Sequence, residues 1–140
     1  MIVLDTSGLL AALVGSQPEH GAVAGVFATE QPPYLLSPFV LAEVDYFLVR
    51  WAGIDAELAF LEDVARGAYE LETFTESDVD LARRVVVQYR DLGLGLADAS
   101  VVCLAERHRT DRILTLDERH FRPVRPARGA AFTLLPADAV

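Results

Sequence analysis

Short apolar runs, each followed at once by a helix signal, constrain this chain more than any other feature. Ile2-Val3-Leu4 is long enough for one buried strand and ends abruptly in Asp5-Thr6-Ser7. Gly8 releases the chain into Leu9–Val14, which reads as a helix. Tyr34-Leu35-Leu36 repeats the pattern. Ser37 is a good N-cap and Pro38 suits a first helical position. Phe39, Val40, Val44, Phe47, Leu48 and Trp51 then carry a helix to about Ala52, where Gly53 ends it. Strands alternating with helices predict the α/β class: a three-layer α/β/α fold with a short, mainly parallel central sheet. Right-handed crossovers bring the strand ends to one edge, where open sheets form their ligand crevice. Asp5 stands at that edge, either as a functional group or as the cap of the following helix.

Ala22–Thr29 reads as a second helix, stopped by Gln31-Pro32-Pro33. Asp55 is placed to cap a helix striped by Leu58, Leu61, Val64 and Ala65. Tyr69–Phe74 alternates and predicts a strand near an edge, with one wetter face. Thr75 and Asp78 have capping-box spacing for a helix carrying Val79, Ala82, Val85, Val86 and Tyr89. A helix from about Ala97 to His108, a strand Arg112–Thr115, a turn or brief helix near Arg119–Phe121 and a last strand Ala131–Leu135 complete the pattern.

With 140 residues, 52% of them hydrophobic, the expectation is one domain spanning 1–140 around a real core. No apolar stretch approaches membrane-spanning length, and no basic region precedes the first apolar run. The chain is therefore read as cytoplasmic, without an export signal or membrane partner. Cys103 is the only cysteine, which excludes an internal disulfide and predicts a buried, inert thiol. The net charge is −9, and all twelve basic residues are Arg. Such acidity disfavours nucleic-acid binding at face value. Yet residues 107–128 carry a net +4 and the remainder −13. The Arg-rich end is either paired on the surface or free to meet a phosphate backbone, and bound cations could neutralise acids elsewhere.

Four acids fall where apolar residues are expected. Glu43 lies four residues from both Phe39 and Phe47 and is predicted to face inward with them, whereas Asp45 reads as an ordinary surface acid. Asp98 precedes Val101 and Val102 on the apolar side of its helix. Asp117 ends the strand Ile113-Leu114-Thr115 as Asp5 ends Ile2-Val3-Leu4. No basic residue has an obvious place among them, and His20, His108 and His120 are scattered. Buried unpaired carboxylates are costly, and a cluster adds repulsion. A divalent cation relieves both. Hard oxygen donors without histidine suit Mg²⁺ or Mn²⁺ better than zinc. Such a site suits phosphodiester cleavage. Asp5 and Asp98 are then the most direct ligands, and Glu43 completes the site or positions water. Asp117 binds a second metal, acts through water, or caps the next turn.

Leu4-Asp5-Thr6-Ser7, Ser37-Pro38 followed by Ala42-Glu43, Leu96-Ala97-Asp98-Ala99 and Leu114-Thr115-Leu116-Asp117, in that order, resemble a PIN domain. More narrowly, they resemble the VapC toxin ribonucleases of bacterial toxin–antitoxin pairs. The resemblance spans nearly the whole chain. It implies a homodimer, an Mg²⁺- or Mn²⁺-dependent endoribonuclease acting on RNA to inhibit translation and growth, and inhibition by a VapB-type antitoxin. It also implies that Asp5, Glu43, Asp98 and Asp117 form the acidic quartet. Thr6 and Thr115 match hydroxyl positions that tune such a site.

Two rivals are weaker. Aspartyl-phosphate phosphatases and receiver domains need a Lys, and this chain has none; the phosphatase pattern also wants an acid where Ser7 stands. A catalytically silent PIN-like module for RNA or partner binding could lose acids from the site, and none is missing. Ser7 itself can be read as no more than a helix cap. Leu9, Leu10, Leu13, Val14, Trp51 and Phe60 exceed what one thin sheet needs. Some are expected at a dimer contact or an antitoxin groove, and full burial of all six within one subunit would count against that.

Overall fold

The structure, a computed structural model, describes residues 1–140. Strands β1 (Ile2–Leu4), β2 (Tyr34–Leu36), β3 (Glu70–Leu71), β4 (Arg112–Leu114) and β5 (Thr133–Leu135) form one sheet in the order β3-β2-β1-β4-β5. Every neighbouring pair is parallel. The helices are α1 (Thr6–Leu13), α2 (His20–Thr29), α3 (Pro38–Ala52), α4 (Ile54–Ala65), α5 (Glu76–Gln88), α6 (Leu96–His108) and α7 (Glu118–Phe121). The expected three-layer α/β/α architecture is present. The sheet strands are apolar without alternation because helices cover both faces: Ile2, Val3, Leu4, Leu35, Leu36, Ile113, Leu114, Leu134 and Leu135 are all buried. No helix is long and apolar enough to cross a membrane.

From β1 the chain builds outward to β2 and β3, then returns to the other side of β1 as β4. The carboxyl ends of β1 and β4 therefore flank the point where strand order reverses, the usual place for a crevice in such sheets. Two packing devices fix the elements around it. Gly8 lies inside α1, where a Cβ would stand 2.6 Å from the Leu114 carbonyl oxygen, so α1 lies directly on the end of β4. That close approach requires glycine; Gly8 does not merely release the chain before a later helix. Ser37 caps α3 by accepting from the Phe39 N–H at 3.1 Å, and its hydroxyl meets that of Ser100 on α6 at 2.6 Å. The Ser100 hydroxyl donates to the Ala97 carbonyl at 2.6 Å, so Ser37 donates to Ser100 and ties α3 to α6.

Several expectations are corrected. α1 begins at Thr6, and α2 begins two residues before the predicted start at Ala22. Asp55 does not cap α4; Gly53, at φ +88°, both ends α3 and precedes α4, and Asp55 lies in the first turn. Only Glu70–Leu71 of the predicted Tyr69–Phe74 strand pairs with β2. Beyond it Glu72 turns to His108 and Arg107, and Phe74 packs edge-on against Phe39. Leu9, Leu10, Val14 and Phe60 are buried within the subunit and Leu13 is half-buried, which removes them from any docking surface. Trp51 alone of the six is exposed, at 51%, alongside Tyr46, Ile54 and Leu58 on α3 and α4. Asp45 is half-buried where α4 folds back on α3. There its carboxylate lies beside Glu57 and raises the Glu57 carboxyl above its ordinary value.

Candidate active site

Asp5 is buried at the end of β1, yet its side chain makes no cap bond to α1. Asp5 thus stands at the N-cap position of α1 while its side chain is engaged elsewhere. Two hydroxyls converge on its Oδ2: Thr115 donates at 2.7 Å and Ser7 at 2.9 Å. Each hydroxyl in turn accepts a backbone N–H from the turn after β4, Thr115 from Asp117 and Ser7 from Leu116, both at 2.9 Å. Ser7 thus bridges β1 and β4 rather than capping a helix. Burial dominates the Asp5 environment and pushes its carboxyl up to about 6, helped by the charge of Asp98 and opposed by the two hydroxyls.

Asp98 lies in the first turn of α6, half-buried. Burial raises its carboxyl above the usual range; the negative charges of Asp117 and Glu43 add to this, and His120 opposes it. Asp98 thus lies within reach of the charges of Asp117 and Glu43, and Asp5 within reach of that of Asp98. Glu43 departs from expectation. It is exposed, not inward, because Val40, Val44 and Leu48 form the buried stripe of α3 and Glu43 sits on its shoulder. Its Oε1 accepts a 2.7 Å hydrogen bond from Thr6 in the first turn of α1. Asp117 caps α7, its Oδ1 accepting from the His120 N–H at 3.1 Å.

His120 corrects the view that the three histidines are scattered and that no basic group joins the acids. Its Nδ1 lies 2.7 Å from Asp117 Oδ2 and 3.6 Å from Asp98 Oδ2. No Arg pairs with any of the four acids; the paired Arg residues of the basic segment bind Glu30, Glu72, Asp78, Glu118 and Asp138 instead. Arg109, Arg119, Arg125 and Arg128 make no ion pair. No three His, Cys, Asp or Glu side chains are grouped closely enough to hold a metal ion as they stand. Cys103 stands apart, half-buried, with burial pushing its thiol up to about 11 and so keeping it protonated.

A family model described as the PIN domain matches residues 2–125. The chain belongs to the PIN-domain family. It is 43% identical over 135 residues to Ribonuclease VapC26 of Mycobacterium tuberculosis, covering 96% of this chain and all of that one, which makes it a VapC-type PIN domain. The crystal structure of Mycobacterium tuberculosis VapC20, titled a sarcin–ricin loop cleaving toxin, superposes with a TM-score of 0.79. At 20% identity, covering 84% of this chain and 91% of that one, it supports the fold. The PIN fold accounts for the site's placement: Asp5 ends one switch-point strand, Asp117 follows the other, and Asp98 and Glu43 enter from α6 and α3.

Proposed function

We propose that this PIN domain is an Mg²⁺- or Mn²⁺-dependent endoribonuclease, the toxin of a VapBC-type toxin–antitoxin pair that acts in the cytoplasm. One observation supports the reading: Asp5, Glu43, Asp98 and Asp117, from four separate segments, come near enough for Asp98 to feel the charge of the other acids or they its own, and none of the four pairs with a guanidinium. Their all-oxygen donor set fits a hard divalent cation, and the raised Asp5 and Asp98 carboxyls mark a charge that such a cation would relieve. Asp5, Asp98, Glu43 and Asp117 would hold it. Bound there, it supplies Lewis-acid stabilisation of the scissile phosphate and activation of water.

The chain's own groups do the rest. Thr115 and Ser7 hold Asp5 by one oxygen, which leaves its other oxygen without a side-chain donor. Thr6 fixes Glu43 at the exposed rim, where it can orient an attacking water. Water adds to phosphorus and a ribose oxygen departs. Arg119, on α7 beside the acids and without an ion pair, is available to meet an RNA phosphate, whereas Arg109 and Arg128 lie with Thr110 and Asp111 at the amino end of β4, away from Asp98. Exposed Trp51, Tyr46, Ile54 and Leu58 support a protein contact on α3 and α4, with an antitoxin or a second subunit.

The test is cleavage of structured RNA by purified protein with Mg²⁺ or Mn²⁺, with and without EDTA. Cleavage that EDTA stops is the expected result. RNA binding without cleavage would establish the silent module instead, and cutting unaffected by EDTA would contradict the metal reading.

A further inference from the structure

We propose that His120 is a positioning residue of the acidic site, holding Asp117 in place beside Asp98; the proposal rests on the nuclease reading above. His120 engages both oxygens of one carboxylate. Its backbone N–H donates to Asp117 Oδ1 at 3.1 Å, and its Nδ1 lies 2.7 Å from Oδ2. An ionised carboxylate only accepts, so Nδ1 carries the hydrogen of that bond. The same Nδ1 lies 3.6 Å from Asp98 Oδ2 and faces both acids at once.

Asp117 needs such a clamp. Its side chain is 32% exposed and repelled by Asp98, so a free carboxylate there would swing toward water. Its backbone is already fixed through Thr115 to Asp5, and His120 fixes the remaining torsions. The helix that carries the imidazole is anchored at its C-terminal end. Phe121 next to it is fully buried, and Arg122 makes two 2.7 Å bonds to Asp138 and one of 2.9 Å to Glu118. A continuous chain of contacts therefore runs from Asp5 through Thr115 and Asp117 to His120 and Asp98. Groups that orient ligands in this way commonly change metal affinity or rate by about 10- to 100-fold when removed.

Side-chain geometry supplies the test. Asparagine places an N–H donor as many bonds from Cα as Nδ1, glutamine places it one bond further, and alanine has none. His120→Ala, His120→Asn and His120→Gln are compared with wild type by RNA cleavage kinetics, by calorimetric Mn²⁺ titration and by melting temperature. Loss of kcat by about tenfold or more in His120→Ala and His120→Gln, with KM for RNA within about twofold and Mn²⁺ binding weakened by about tenfold, is expected. His120→Asn should recover both quantities to within about threefold of wild type. If His120→Ala melts early, the comparison of His120→Asn with His120→Gln decides. Unchanged kcat and Mn²⁺ affinity in His120→Ala, or His120→Asn as impaired as His120→Gln at equal melting temperature, overturns the proposal. A wild type that neither cuts RNA nor binds Mn²⁺ overturns the nuclease reading itself, and this proposal with it.

Discussion

Asp98→Asn is expected to lower RNA cleavage by on the order of 10³-fold, about 4 kcal/mol of transition-state stabilisation, while leaving the metal-free protein as stable as wild type or more so. The activity loss follows from the proposed role of Asp98 as a direct ligand, beside the charges of Asp117 and Glu43. The stability follows from the direction of the carboxyl's shift. Asp98 is raised above the usual carboxylate range, so the fold as a whole disfavours its anion, even though the α6 N-terminus favours it. Asparagine keeps the shape and sheds the repelling charge. Initial cleavage rates and metal-free melting curves check both halves. A melting temperature well below wild type would contradict the electrostatic account, and retained cleavage would remove Asp98 from the site.

Asp5→Asn is expected to change how stability depends on pH. In the folded chain Asp5 holds its proton up to about pH 6, against an ordinary 3.8. A carboxyl raised in this way stabilises the fold fully below pH 3.8, and that contribution is lost as pH rises through 6. The span corresponds to roughly 3 kcal/mol. Other acids act in the opposite direction: Asp138, held down to about 2 by Arg122, stabilises the fold as pH rises from strong acid. The difference between variant and wild type isolates Asp5. Denaturant unfolding of metal-free protein should show Asp5→Asn gaining on wild type by roughly 2 kcal/mol between pH 4 and pH 7. A difference that stays constant across that range would mean the buried carboxylate is not the strained group.

What was legible in the sequence was whatever depends on burial along a single element. Ile2-Val3-Leu4 and Ile113-Leu114 announce two buried strands, so Asp5 and Asp117 are placed by counting to their ends. Asp98 follows from the apolar residues after it in α6. Glu43 reads as inward-facing from the α3 pattern yet lies exposed, because its surroundings are set by the first turn of α1, which reaches it only through Thr6. Asp45 was misjudged for the same reason: only the return of α4 brings Glu57 to it. His120 was passed over because Glu118–Phe121 reads equally as a turn. Its three-residue spacing from Asp117 becomes a contact only once α7 forms and Arg122 anchors it to the last strand region. The spacing was available as a signal and needed only a helical reading of that turn. Ser7 shows the same limit, since two of its three partners lie 108 and 109 residues away.

The central claim is that the four acids form one site for a hard divalent cation. Calorimetric titration of Mn²⁺ into metal-free wild type, Asp5→Asn and Asp98→Asn at neutral pH tests it most directly. Saturable binding to the wild type, lost or weakened by at least about tenfold in both variants, is the predicted result. Absence of binding to the wild type, or equal binding by all three proteins, would contradict it.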